Sequence, residues 1–400
     1  MNAEDKKKKI GILTLNQQLN YGGVLQSYAL QGVLNKNDYD AEVIRFWHTP
    51  SNAVLYGYVY NPSSWRKIRN IRTIVRAQLR NGLAFSDLCR RLRTINFINT
   101  QMKTSARDYK SADELEGMNE YDVLISGSDQ IWNSYWGTPN PFLLGFARGV
   151  KKIAYAPSFG LSVLPQEWEE EYGDSMNDFF ALSAREPSGR RIISSLTGKE
   201  CPWVLDPVML ISSSEWERRF RFKAISGKHF SCYWVGDLQT LPETLSSLNI
   251  DKKAPIHLMV NDDLVNEIYA PRNAKGRISL LKKLKNEYVN LKFCFEAGPI
   301  EFVRDIATSK GVISDSYHGM MFSVLFHKPL RVFLGNLLAA DRIVGFSERM
   351  NMLDAISQEP SGAHSLTCPD YERITSELDV WRKESMNFLF GALEACKKNI

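Results

Sequence analysis

The sequence predicts an α/β protein of two Rossmann-like domains facing a cleft, and three observations carry that prediction. Short apolar, β-branched runs alternate with helical periods from the first strand onward, the pattern of parallel strands joined by crossover helices. The alternation runs twice, separated by a polar, charged stretch. The 400 residues, 44% hydrophobic and 11% aromatic, suffice for two cored domains and exclude a disordered chain.

In order, Ile10 to Leu15 reads as a strand, Asn20 to Gly23 as a loop, Val24 to Leu34 as a helix and Ala41 to Phe46 as the next strand. A basic helical insertion over 61–103 follows. Strands return at Val123 to Ser126, Lys152 to Ala156 and Phe179 to Ala184. Asp206-Pro207, Ser212-Ser213-Ser214 and the charged run to Lys228 mark a bridge between domains. The second series has strands at His229 to Val235, Ile256 to Val260, Leu291 to Phe295, Gly311 to Ser314 and Arg331 to Leu334. Helices fall at Ile278 to Lys285, Ile300 to Ser309 and Met320 to Phe326, and a closing helix runs from Tyr371 to Cys396. The expected boundaries are 1–210, 211–370 and a final helix in 371–400.

Lys6 to Lys9 precede an apolar run that Gly11 and Thr14 interrupt, so the start reads as a strand rather than a secretory leader, and no run reaches eighteen apolar residues. A cytoplasmic enzyme is expected. Six cysteines without a Cys-x-x-Cys pair exclude a disulfide scaffold and a zinc ribbon. There is no His-Glu-x-x-His, and His318 and His327 are poorly spaced for shared ligation, so no metal is expected. Walker, kinase and Gly-x-Ser-x-Gly patterns are absent too.

The net charge of +5 is uneven: ten basic residues against one acid between Asn61 and Lys103 leave the remainder acidic. Ile68, Ile71, Val75 and Leu79 would form one helical stripe, with Arg69, Arg72, Arg76 and Arg80 beside it. Two readings fit: a helix packed on its own domain with a solvated cationic flank, or a contact through 66–93 with the inner face of an anionic membrane. Nucleic acid is not an expected partner, since no aromatics interleave the basic cluster and no binding module is recognisable.

Ligands of open parallel sheets bind beyond the carboxyl ends of the strands, so four strand-to-helix loops hold the candidate residues. In Ser314-Asp315-Ser316-Tyr317-His318-Gly319 the imidazole falls at a helix N-terminus, where the dipole favours anions and a neutral ring able to act as a base. Capping by Asp315 or Ser316 with a packed His318 is the competing reading. Ser126-Gly127-Ser128-Asp129-Gln130 offers backbone N–H groups to a phosphate or sugar, unless Asp129 only caps and Trp132 is only core. Asn20-Tyr21-Gly22-Gly23 is a ligand loop or simply a tight turn. Arg185, after the run FFALSA, and Arg342 offer guanidinium clamps for a carboxylate or phosphate, with pairing to Glu186 or another acid as the alternative for Arg185.

Taken together, NYGGVLQSYAL, YDVLISGSDQIWN, SAREPSGRRIISSLTG with VLDPVML, and EAGPIEFVRDIATSKGVISDSYHGMMFSVLFHKP resemble the polysaccharide pyruvyl transferase family from about Ile10 to Pro329. Ala184 stands where Val is usual and Tyr317 where Phe is commoner; neither alters a charge. The resemblance implies a GT-B-type architecture and transfer of the pyruvyl group of phosphoenolpyruvate to hydroxyls of a sugar acceptor, commonly lipid-linked. It also implies a pyruvate ketal, released phosphate and no cofactor. It assigns acid or base chemistry to His318 and the donor grip to Arg185, with Arg342 assisting. A nucleotide-sugar glycosyltransferase and a catalytically idle scaffold in polysaccharide assembly are the rival readings.

Overall fold

The computed structural model describes residues 7–15, 20–46, 84–134, 140–260, 274–335, 340–359 and 362–398. The first half holds β1 (Lys9–Leu13), β2 (Asp40–Phe46), β3 (Thr104–Tyr109), β4 (Val123–Ser126) and β5 (Lys151–Ala154). They form one parallel sheet in the order β3-β2-β1-β4-β5. Helix α1 (Tyr21–Lys36) joins β1 to β2, and α2 (Ala84–Gln101) precedes β3. The helices α3 (Glu169–Asn177), α4 (Pro187–Thr197), the single turn α5 (Pro207–Leu210) and α6 (Ser213–Phe220) lead to the second half.

There, β6 (Phe230–Trp234), β7 (Ile256–Val260), β8 (Leu291–Cys294), β9 (Gly311–Ser314), β10 (Leu330–Phe333) and β11 (Ile356–Ser357) form a parallel sheet in the order β11-β10-β9-β6-β7-β8. Its helices are α7 (Leu241–Ser247), α8 (Ala274–Glu287), α9 (Pro299–Ala307), α10 (Tyr317–Leu325) and α11 (Asp341–Arg349), and α12 (Tyr371–Lys398) closes the chain. The two doubly wound α/β halves are thus those the sequence predicts. Strand order reverses between β1 and β4 and between β6 and β9, which puts both switch points at the seam of the halves.

Some elements differ from expectation. Asn20 to Gly23 is not a loop throughout, because the Asn20 carboxamide accepts the Gly22 amide and starts α1 at Tyr21. The polar run Thr104–Tyr109 folds as a strand that periodicity hides, with only Ser105 and Tyr109 buried. The expected strand Phe179 to Ala184 makes only isolated bridges, Ala181 with Ile153 and Ala184 with Trp203. Its two ends pair with different neighbours, so no ladder forms.

Residues 61–83 of the expected insertion, with the stripe of Arg69, Arg72, Arg76 and Arg80, lie outside the described residues. Within α2, Arg90 and Arg91 are buried rather than solvated, and Arg93 Nη1 donates to the Glu296 carbonyl at 2.8 Å. This part of the insertion ties the first half to the second. Among the described residues no helix is long and apolar enough to cross a membrane.

One hydrophobic core cluster spans both halves, beside a separate cluster in each. Tyr28 of α1, Phe97 of α2, Trp216 and Phe220 of α6 and Phe322 of α10 form a continuous aromatic cluster across the seam. Burying each such side chain is worth about 1.5–3 kcal/mol. Helix α12 returns to the first half: Trp381 Nε1 donates to the Trp203 carbonyl, Arg382 Nε to that of Met209, and the Ser385 hydroxyl accepts the Leu205 amide.

Candidate active site

The site is built on the loops leaving β4, β9 and the bridge before α5. Ser316 caps α10 by accepting the Gly319 amide, and so places His318 in the first helical turn. The imidazole is almost wholly buried. Its Nε2 stands 3.5 Å from Asp206 Oδ2 and makes no hydrogen bond. The other side of the ring lies on Gly22, where an added Cβ would fall 2.0 Å from Nδ1. A glycine at 22 is therefore required by the histidine of the opposite half, not by a turn.

Asp206 is the centre of the cluster. It caps α5 by accepting the Val208 amide on Oδ1, while Oδ2 receives Arg185 Nη1 at 2.8 Å and the Ser128 hydroxyl at 3.2 Å. Burial pushes its pKa up, but His318, Arg185 and the Val208 amide outweigh that and hold the carboxyl well below the usual carboxylate range. It is a carboxylate whenever the protein is folded near neutrality.

Arg185 does not project into an open cleft. Its side chain is fully enclosed, with Asp206 at 2.8 Å, Asp129 at 3.4 Å and Glu186 at 3.9 Å. Burial alone would lower its pKa; Asp206 and Asp129 raise it above the ordinary value. The pairing reading thus describes its surroundings. Arg342 approaches from α11 of the other half, and both of its terminal nitrogens meet the Gln130 amide oxygen when that amide is turned to face them. The guanidiniums of Arg185 and Arg342 lie 4.8 and 5.8 Å from the Tyr317 ring. Burial and the neighbouring Arg185 lower the Arg342 pKa. Arg185 Nε, Arg342 Nε and His318 Nε2 are all buried without a hydrogen bond from the protein.

The remaining predicted residues divide. Asp129 joins the cluster with φ of 77°, the left-handed region, and its Oδ1 accepts the Gln130 amide. Ser128 reaches Asp206, as above. Ser126 and Gly127 do not offer free groups: the Ser126 hydroxyl donates to the Phe142 carbonyl and the Gly127 amide to that of Leu13. Trp132 is core.

Asn20 serves as a cap, and Gly23 allows close approach to the Leu15 carbonyl. Tyr21 is carried into the other half, where its ring stacks on Phe302 at 4.7 Å and its hydroxyl donates to the Ala297 carbonyl. Ser314 and Asp315 are structural: the Ser314 hydroxyl donates to the Tyr233 carbonyl, and Asp315 accepts the Val235 and Gly236 amides. Gly319 packs tightly on Ser314.

Reading the sequence by loops missed Asp206, which looks like an ordinary Asp-Pro cap. Its available signal was its position directly after the buried pair Val204-Leu205. The arrangement can hold an ionised carboxylate against a histidine at a helix N-terminus and present donor nitrogens to an oxygen-rich ligand.

A family model described as polysaccharide pyruvyl transferase matches residues 20–335. No curated protein sequence matches the chain. Solved structures with a similar chain path include an O-GlcNAc transferase of Thermobaculum terrenum, at 10% identity and a TM-score of 0.41, with 97% of this chain and 64% of that one covered. A UDP-GlcNAc 2-epimerase from Neisseria meningitidis gives 11% identity and a TM-score of 0.46, with 94% of each chain covered. The Methanocaldococcus jannaschii enzyme of that name gives 10% and 0.44, with 94% of this chain and 93% of that one.

Proposed function

The chain belongs to the polysaccharide pyruvyl transferase family, and from that premise we propose that it moves the pyruvyl group of phosphoenolpyruvate to the hydroxyls of a sugar in a surface-polysaccharide precursor. The products are a pyruvate ketal and inorganic phosphate. The observation that carries the reading is the meeting of His318, Asp206 and Arg185 from distant family blocks in one buried cluster at the seam.

The chemistry sets the demands. The donor's methylene carbon takes up a proton as the first sugar hydroxyl attacks the adjacent enol carbon; the second hydroxyl then attacks the same carbon and phosphate leaves. Of the two hydroxyl protons, one balances that gained by the methylene and the other departs with phosphate. His318 exchanges these protons through Nε2, the ring nitrogen that faces ionised Asp206. Arg342, the less enclosed guanidinium, meets the donor's carboxylate or phosphate. Arg185 holds Asp206 and Asp129 in place instead of gripping the donor itself.

Thermal-shift titration tests this without knowledge of the acceptor. Phosphoenolpyruvate at 100 times its dissociation constant should add about 2.7 kcal/mol of stability, and Arg342→Ala should weaken that binding. Stabilisation by a nucleotide sugar in place of phosphoenolpyruvate would reject the reading in favour of a glycosyltransferase.

A further inference from the structure

Outside the seam, His229, His257 and Asp305 come together from positions 28 and 48 residues apart, too distant for any local spacing motif. His229 immediately precedes β6, His257 is the second residue of β7, and Asp305 lies in the last turns of α9. Three packed elements thus converge at the amino ends of the strands, the edge of the sheet opposite the candidate active site. His257 Nδ1 is 2.5 Å and His229 Nε2 3.2 Å from the same atom, Asp305 Oδ1. The Asp305 carbonyl oxygen stands 3.3 Å from His229 Nε2. The two imidazoles lie face to face, 4.0 Å between centroids and 20° between planes.

The three donor atoms lie within 4.8 Å of one another, a grouping that one divalent cation can hold. We propose that His229 Nε2, His257 Nδ1 and Asp305 Oδ1 bind one borderline divalent cation of the zinc class, with a structural role. Two imidazoles and a carboxylate are the donor set such ions prefer, with bonds of about 2.0–2.2 Å. Tetrahedral bonds of that length hold donors about 3.3–3.5 Å apart, so the His257–Asp305 separation widens by about 1 Å and the stacked rings turn toward a common centre when the ion is seated.

His229, His257 and Asp305 are each partly accessible, so the ion has an entry path. Lys292, the register partner of His257 on β8, is exposed and its charge is solvated. The ion would fix the carboxyl end of α9, whose other end carries Phe302 and receives Tyr21 from the first half.

The test uses the full chain, stripped with a chelator and titrated with cobalt(II), then zinc. The expected result is one equivalent of cobalt giving the intense visible bands of a four-coordinate ion, displaced by zinc, and a zinc-dependent rise in melting temperature. His318→Ala should retain all of this. Asp305→Asn and His257→Gln should each bind more than about 100-fold more weakly; circular dichroism checks that they fold, and either one alone decides the question. Absence of the cobalt bands, or full retention in a folded ligand variant, would overturn the proposal and leave the trio as an ion-paired cluster.

Discussion

Two residues from the first half, Asp206 and Gly22, define what His318 can do. Positioned proton transfer contributes about 10²–10⁴-fold to a rate, so His318→Ala should lower kcat by that order with little change in melting temperature. Asp206→Asn should also lower kcat, but it removes the charge opposite a buried guanidinium, and breaking such a pair costs about 3–5 kcal/mol. A melting curve beside the kinetics separates the two effects. An Asp206→Asn enzyme with wild-type turnover would remove the carboxylate from the mechanism. The sequence made His318 and Arg185 legible through their loop positions. It concealed Asp206, because the partners that make this Asp-Pro cap chemical, Arg185 and His318, are 21 and 112 residues away.

At the scale of elements, one carboxylate joins two strand ends. Asp315 follows β9 and accepts both amides that follow β6. Burial raises its pKa to about 6 against the pull of those amides. A carboxyl whose folded pKa lies above its unfolded value binds its proton more tightly in the folded state. Stability is therefore lost as pH rises from about 4 through 6, by at most about 3 kcal/mol. Asp315→Asn cannot ionise, so the stability of wild type relative to this variant should fall between pH 4 and 7 in denaturant titrations; a constant difference would refute the shift.

Helix α12 makes a second element-scale prediction. Trp381 is buried, hydrogen-bonded to Trp203 and covered by Arg349 at 3.9 Å, so Trp381→Ala should cost about 3–5 kcal/mol in the same measurement. The strands buried on both faces were readable as apolar runs, whereas β3 was not, since four of its six residues are not fully buried and its pattern is polar. The destination of α12 was equally illegible: an amphipathic helix shows that it packs, not against what.

For the whole molecule, the described residues of the seam include a core cluster shared by both halves, and Tyr21 is its clearest bolt. Removing its hydroxyl by Tyr21→Phe deletes the bond to the Ala297 carbonyl while keeping the stack on Phe302. The expected cost is about 1 kcal/mol, read as a lower denaturation midpoint with cooperativity preserved. Unfolding in two steps would show that the halves are energetically separate. The sequence could give two domains but not their adhesion, because the joining residues, such as Phe97 and Trp216, satisfy the ordinary periodicity of their own helices.

The contact of Gly22 with His318 gives the molecule a gauge of its own closure. The ring nitrogens look toward two residues of one half while the ring itself is carried by the other. Any hinge-like separation therefore alters the imidazole's surroundings before it disturbs either sheet. The nitrogen-15 resonances of the His318 ring are then reporters of domain geometry.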